Sequence, residues 1–422
     1  MSSAQSNASN ASPASRITLG ALLAWLLFSF VTLTIGISAL PVAGRLYDFR
    51  AFYSAGWLLL HHPHQLFDLS VQTAAQNVIV CPMGRGVPFY HPAYEALLYA
   101  PFAVLSYRSA YIAFALFNLL LLALCYRLAP SAADPRIARI PRALLFFLCF
   151  PAFMAIAEGQ DSIVFLLLVC LLWRALVSAH DRTAGMLLAL ALFKLQIALG
   201  LLFFLVLYLP SPRRARLLLS FLPSAAAIAL TCLLITGPQG IMTWLRLLAS
   251  SSIASHQTHQ AQSVIAVYPK AMPTLNGLLY ICGARLLPTR LSFALDVLLS
   301  LLVLAAAIFL VRKVRGRSRS TSVAFCAALS AAILLAPHLY LYDYVLLLFP
   351  VLLLTERRQP ILTALAYLLP FILFALHGLD WFAIMAIMPA LFLSSLLMTA
   401  RSQPLHQTQP EKVTPHPLTA LE

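Results

Sequence analysis

Apolar residues in this chain come in blocks. Runs close to the roughly 20 residues a helix needs to cross a bilayer follow one another from Ile17 to Ala400, separated by short polar or basic segments. The clear runs are 17–40, 108–126, 142–157, 161–179, 215–236, 291–312, 321–336, 340–355, 360–376 and 381–400. Backbone groups in hydrocarbon must find partners within their own segment, so the pattern predicts an all-α polytopic membrane protein. Composition agrees: 61% of residues are hydrophobic and 10% charged, with a mean hydropathy of +0.88, far from a soluble domain. A polar tail, 1–16, precedes the first run and a Pro- and Gln-rich tail follows Arg401, so one integral-membrane domain is expected over 17–400.

A formal charge of +15 would point a soluble protein toward nucleic acid, but in a membrane protein the position of each charge matters more than the sum. Lys and Arg gather in cytoplasmic loops, and here they cluster at Arg127 to Arg142, Arg174 with Arg182, "PRRAR" at 212–216, "RKVRGRSR" at 312–319, "ERR" at 356–358 and Arg401. No nucleic-acid partner is implied. Placing every cluster inside gives a consistent topology except over 183–209, which has basic residues at both ends. Its centre carries "FKLQ", and a charged Lys194 in hydrocarbon marks an interface or a polar cavity. The run therefore divides into two short helices that turn at Lys194, and about eleven crossings result. The segment 91–105 remains as an interfacial or re-entrant helix.

With that topology the polar residues fall on one face, away from the cytoplasm: Asp48, "EGQD" at 158–161, Lys194, Gln196, "PHLYLYD" at 337–343, "HGLD" at 377–380, and two long loops, about 41–107 and 237–290. Among the seven cysteines only Cys81 and Cys282 lie on that face, which allows a disulfide between them. No CxxC or HExxH spacing appears, so no metal site is expected.

Five stretches in order carry a resemblance: "DFRAFYSAGWLLLHHPHQLFD", "FYHPAYEALLYAPFAVL", "EGQDSIVFLLL", "AGMLLALALFKLQIAL" and "PHLYLYDYVLLLFP". Together they resemble glycosyltransferase family 87, integral-membrane enzymes of the GT-C class that include polyprenyl-phosphate-mannose-dependent mannosyltransferases. The resemblance implies transfer of a sugar, mannose before a pentose, from a polyprenyl phosphate to a hydroxyl of a lipid or glycan acceptor. The reaction would run with inversion, on the outer face of the cytoplasmic membrane, without a cofactor and unaffected by a chelator. The aspartate of the first outer loop is the general base in such enzymes, and Asp48 holds that place. Read from its neighbours alone, Asp48 also suits a helix N-cap.

A lipid phosphate leaving group needs positive charge or N–H dipoles. Lys194, His338, Arg45 and Arg50 are the candidates, each with a plainer reading as an interfacial or capping residue. Tyr53, Glu158, Gln160, Gln196 and Asp343 are candidates for sugar or acceptor contacts, Tyr53 alternatively for an interfacial aromatic belt, and Asp343 also as a partner of Lys194 or His338. Asp161 reads better as a residue complementing a helix N-terminus, and Asp68 as a turn residue. The rival reading from another class is a transporter or flippase of lipid-linked sugars, but the two repeated halves common in transporters are not evident.

Overall fold

The computed structural model describes residues 47–80, 86–129, 149–256, 269–283, 287–315, 320–356 and 381–402, with isolated positions between them. Among these residues the ordered elements are all helical. The first outer segment is built of short helices: α1 (Tyr47–His61), α2 (Leu69–Ile79) and α3 (Ala96–Ala103). Asp68 caps α2, its Oδ1 accepting from the amides of Ser70 and Val71 at 2.9 and 3.2 Å. α1 packs on α3 through an aromatic core in which Phe52 stacks on Tyr99 with ring centroids 4.7 Å apart. Phe49 meets Tyr107, Tyr111 and Phe114 of α4 (Tyr107–Leu128) in the same core.

The bundle continues with α5 (Phe150–Ala157), α6 (Ser162–Val177), α7 (Asp181–Leu190), α8 (Leu195–Tyr208) and α9 (Ser211–His256). It closes with α10 (Leu275–Ile281), α11 (Thr289–Val314), α12 (Ser320–Leu335), α13 (Leu348–Glu356) and α14 (Ile387–Ser402). Among the described residues four stretches are long and apolar enough to cross a membrane: Tyr107–Leu128, Asp181–Tyr208, Ser211–Ala249 and Arg290–Val314. Leu219, Leu222, Leu230 and Leu234 on α9 and Leu298, Leu301, Leu302 and Phe309 on α11 are exposed. In water such an apolar stripe is a liability, whereas acyl chains accommodate it. The expected crossings at 17–40 and 360–376, on which a total of about eleven depends, lie wholly or largely outside the described residues, as do Arg45 and Cys81. Cys282 is an exposed free thiol.

By length, Asp181–Tyr208 is a single crossing of 28 residues. A straight helix of that size would hold its ends about 42 Å apart. Yet Arg213, just past Tyr208, donates from Nε to Asp181 Oδ1 at 2.8 Å, and Arg216 Nη2 reaches Asp181 Oδ2 at 2.8 Å. Ser220 Oγ also donates to the Arg182 carbonyl at 2.7 Å. The chain must therefore reverse between α7 and α8, so the geometry outweighs the length criterion. Reversal occurs in the 3₁₀ turn Ala191–Lys194, where Lys194 leaves the helical region at φ −102°, ψ 67°. The same end of the bundle is tied by Trp173 Nε1 to Ser322 Oγ and by Tyr208 Oη to Thr321 Oγ1, both at 3.2 Å.

One expectation changes. The stretch after 236 continues as helix to His256 instead of opening into a loop, bending only at Gly237, whose φ of 69° needs a residue without Cβ. Pro238 then opens the next helical segment, where its missing N–H leaves no helical bond unmade.

The reversal makes a clear prediction. In a cysteine-free background, single cysteines at His180 and Ser211 should react with an impermeant thiol reagent from the same side of the membrane, and one at Gln65 from the other. Opposite sidedness for 180 and 211 rules out the paired short helices.

Candidate active site

Asp48 lies in the first turn of α1. Its Oδ2 accepts a hydrogen bond from Gln160 Nε2 at 2.6 Å, and Tyr342 is a second donor. The turn between α5 and α6 delivers Gln160. Within it Gly159 adopts a φ of +63°, and a Cβ there would come within 2.5 Å of Phe49 Cβ. Only glycine lets the "EGQD" turn approach the residue next to Asp48 this closely. Burial raises the Asp48 carboxyl above the usual carboxylate range, opposed by the hydrogen bonds from Gln160 and Tyr342 and by the charge of Lys194. Glu158, in the same turn, is pushed up to about 8 by burial and then by the charge of Asp48.

Lys194, 5% exposed, stands between two carboxylates, with Nζ 2.7 Å from Asp161 Oδ1 and 2.7 Å from Asp343 Oδ1. Ser162 Oγ also donates to Asp343 Oδ1 at 2.6 Å. Asp343 comes from the 3₁₀ segment Leu341–Leu347, Asp161 from the start of α6 and Lys194 from the α7–α8 reversal. Asp161 makes no side-chain cap on α6. Asp161 thus stands at the N-terminus of α6 as expected, but its carboxylate pairs with the ammonium and makes no cap.

Further donors and acceptors surround this trio. His338 Nε2 lies 3.1 Å from Tyr90 Oη, its carbonyl accepts from Gln196 Nε2 at 2.8 Å, and its ring meets Tyr340 edge-on at 4.8 Å. Burial drives the His338 imidazole down to about 4, so at neutral pH it is an uncharged donor or acceptor. His91 is likewise driven down to about 4 by burial and sits with Nδ1 2.6 Å from Glu95 Oε2 and 3.8 Å from Asp161 Oδ2. Burial also raises the Glu95 carboxyl, followed by the charge of Asp161.

Asp48, Glu158, Gln160, Lys194, Gln196, His338 and Asp343 thus meet at one end of the bundle, opposite the Asp181–Arg213 contact. Two candidates do not join them. Arg50, fully buried, directs Nε to Gln76 Oε1 and Nη2 to Asn77 Oδ1, each at 3.0 Å. Two residues along a helix turn about 200°, so Arg50 faces away from the side of Asp48. Tyr53 is also buried and donates to the Leu105 carbonyl at 2.8 Å, holding α1 to the α3–α4 connection rather than lining the site. Arg45 lies outside the described residues. Lys194 occupies the site but is already paired twice, so it is no free cation.

The sequence pattern does not single out Tyr90, Glu95, Ser162 and Tyr342, which look like ordinary members of apolar or aromatic stretches. Ligand-type atoms of His91, Glu95 and Asp161 lie within 4.8 Å of one another, a grouping that no motif spacing displays. The i,i+4 spacing of His91 and Glu95 was the legible half of that set; Asp161 comes from a distant turn.

No curated protein and no solved structure matches the chain. The sequence model described as glycosyltransferase family 87 matches residues 89–337, a stretch that carries His91, Gln160, Asp161 and Lys194 and is bracketed by Asp48 and by His338. With that match covering more than half of its length, the chain belongs to glycosyltransferase family 87.

Proposed function

We propose that this membrane glycosyltransferase moves a sugar, mannose in the first instance, from a polyprenyl phosphate to a hydroxyl of a lipid or glycan acceptor. In this reading the basic end of the bundle faces the cytoplasm, following the general bias of Lys and Arg, and the polar site opens on the outer face of the cytoplasmic membrane. The observation that carries the reading is Asp48: a half-buried carboxylate in a polar cluster, oriented by Gln160 and bordered by Tyr342 and Lys194.

The acceptor oxygen attacks the anomeric carbon from the face opposite the phosphate. As the new C–O bond forms, the bond to the phosphate oxygen breaks with its electron pair, and the acceptor's proton passes to Asp48. Inversion follows from the single displacement. Burial makes Asp48 a stronger base than a solvated carboxylate, while Gln160 fixes its orientation. Phosphate is a good leaving group and needs no acid. Neutral His338 and the tyrosines around it supply hydrogen bonds to the phosphate oxygens. Lys194 acts chiefly by holding Asp161 and Asp343 in place.

Asp48→Asn keeps the size of the side chain and its capacity to accept a hydrogen bond but cannot take the proton. Turnover measured by mass analysis of lipid products should fall by about 10²–10⁴, with donor binding retained; near-normal transfer would leave Asp48 with a structural role only. Gln160→Leu removes a hydrogen bond that favours the ionised form, so the Asp48 pKa rises and the acid limb of the rate–pH profile should move to higher pH. An unmoved limb would detach that limb from Asp48. Lys194→Met strands two buried carboxylates, and the loss of stability in detergent should be about 3–5 kcal/mol. An unchanged melting temperature with weaker donor binding would instead return Lys194 to the phosphate.

A further inference from the structure

Three side chains at the polar end have no part in the proton transfer just described. His91 Nδ1 lies 2.6 Å from Glu95 Oε2 and 3.8 Å from Asp161 Oδ2. These separations bracket the roughly 3–3.5 Å expected between donors that share one cation at about 2.1 Å. His91 Nδ1 and both Glu95 oxygens are buried without a well-aligned hydrogen bond, and the Glu95 and Asp161 carboxyls interact side chain to side chain.

Tyr99 supplies a separate signal. It is wholly buried, its hydroxyl has no hydrogen-bond partner, and it feels the charges of Asp161 and Glu95. An unsatisfied buried hydroxyl costs about 1–3 kcal/mol, which a water held on a cation at this place would relieve. Lys194 already gives its charge to Asp161 and Asp343, so ligation by Glu95 releases the proton that burial favours on its carboxyl.

We infer that His91, Glu95 and Asp161 bind one divalent first-row cation of the Mn²⁺ or Zn²⁺ kind, with Tyr99 facing a water in its coordination shell. One imidazole and two carboxylates form a mixed nitrogen and oxygen set that suits such ions. The site stands on this geometry alone; its role rests on the glycosyl-transfer reading. There the cation lies beside Asp161 and provides, toward the leaving phosphate, the positive charge that the doubly paired Lys194 lacks. That role replaces the expectation of chelator-resistant turnover.

The test uses full-length protein in detergent, stripped with EDTA, freed of chelator and titrated with Mn²⁺ alone while bound ion is followed by electron paramagnetic resonance, Zn²⁺ serving as competitor. One Mn²⁺ per chain is expected, with ¹⁴N coupling to a single imidazole in pulsed spectra. His91→Ala should abolish the coupling, and both it and Glu95→Gln should weaken binding at least tenfold. Thermal unfolding checks that each variant is folded. Should a variant fail to fold, the wild-type nitrogen coupling decides by itself, because His91 is the one imidazole of the set. The site is overturned by a lack of stoichiometric binding of either ion, by bound Mn²⁺ without nitrogen coupling, or by undiminished binding in the folded variants. Binding is read without turnover, so it is independent of the assigned reaction. Sugar transfer undiminished in stripped protein overturns the cation's catalytic role.

Discussion

A buried ammonium between two buried carboxylates is the constraint on which the polar end of this protein depends. Each of Lys194, Asp161 and Asp343 would cost several kcal/mol to remove from water alone, and the cost is offset only when all three arrive together. They arrive from three separate places: the α7–α8 reversal, the start of α6 and the 3₁₀ segment before α13. The trio therefore fixes the depth of the reversal and the register of α6 against Leu341–Leu347. An apolar trio of similar size would slide at little cost, whereas a displaced charge does not. At the opposite end Asp181 with Arg213 and Arg216 clamps the base of the same reversal, so both ends of α7 are pinned by charge inside an otherwise apolar bundle.

Around that trio the polar groups divide into two sets. Asp48, Gln160 and Tyr342 form one side, where the carboxylate is oriented and its basicity balanced between burial, which raises it, and hydrogen bonds, which lower it. His91 and Glu95 form the other side, converging on Asp161. Asp161 is shared between Lys194 and the second set, with one carboxylate oxygen turned to each. A change in the second set is therefore transmitted to Lys194 through one side chain, and from Lys194 to Asp48 through charge. Compactness of this sort requires the backbone of the "EGQD" turn to approach α1 closely, which Gly159 permits.

The aromatic shell does different work. Phe49, Phe52, Tyr53, Tyr99 and Tyr107 are buried against one another, and they hold α1 against α3 and α4 so that Asp48 meets the bundle at a defined place. Arg50, bound to Gln76 and Asn77, ties α1 to α2 on the other side. Two residues flanking the same face of the sequence motif thus serve opposite purposes: Asp48 turns to the site and Arg50 anchors the helix that carries it.

Much of this was legible in the sequence because a bilayer imposes length and polarity on each segment separately. The runs near 108–126, 161–179, 291–312 and 321–336 became helices with closely similar bounds, and a lysine in mid-run was enough to mark the reversal at 191–194. The grouping of Asp48, "EGQD", Lys194 and His338 followed from counting crossings. What the linear pattern could not hold was the direction of individual side chains. Arg50 and Tyr53 sit in the same motif as Asp48, but helical rotation sends them elsewhere. Glu95 and Ser162 looked like ordinary residues of an apolar neighbourhood until tertiary packing set them against Asp161 and Asp343. Spacing along one chain reports which residues share a helix face; which faces meet depends on the summed packing and desolvation of all the helices, and only the folded bundle decides it.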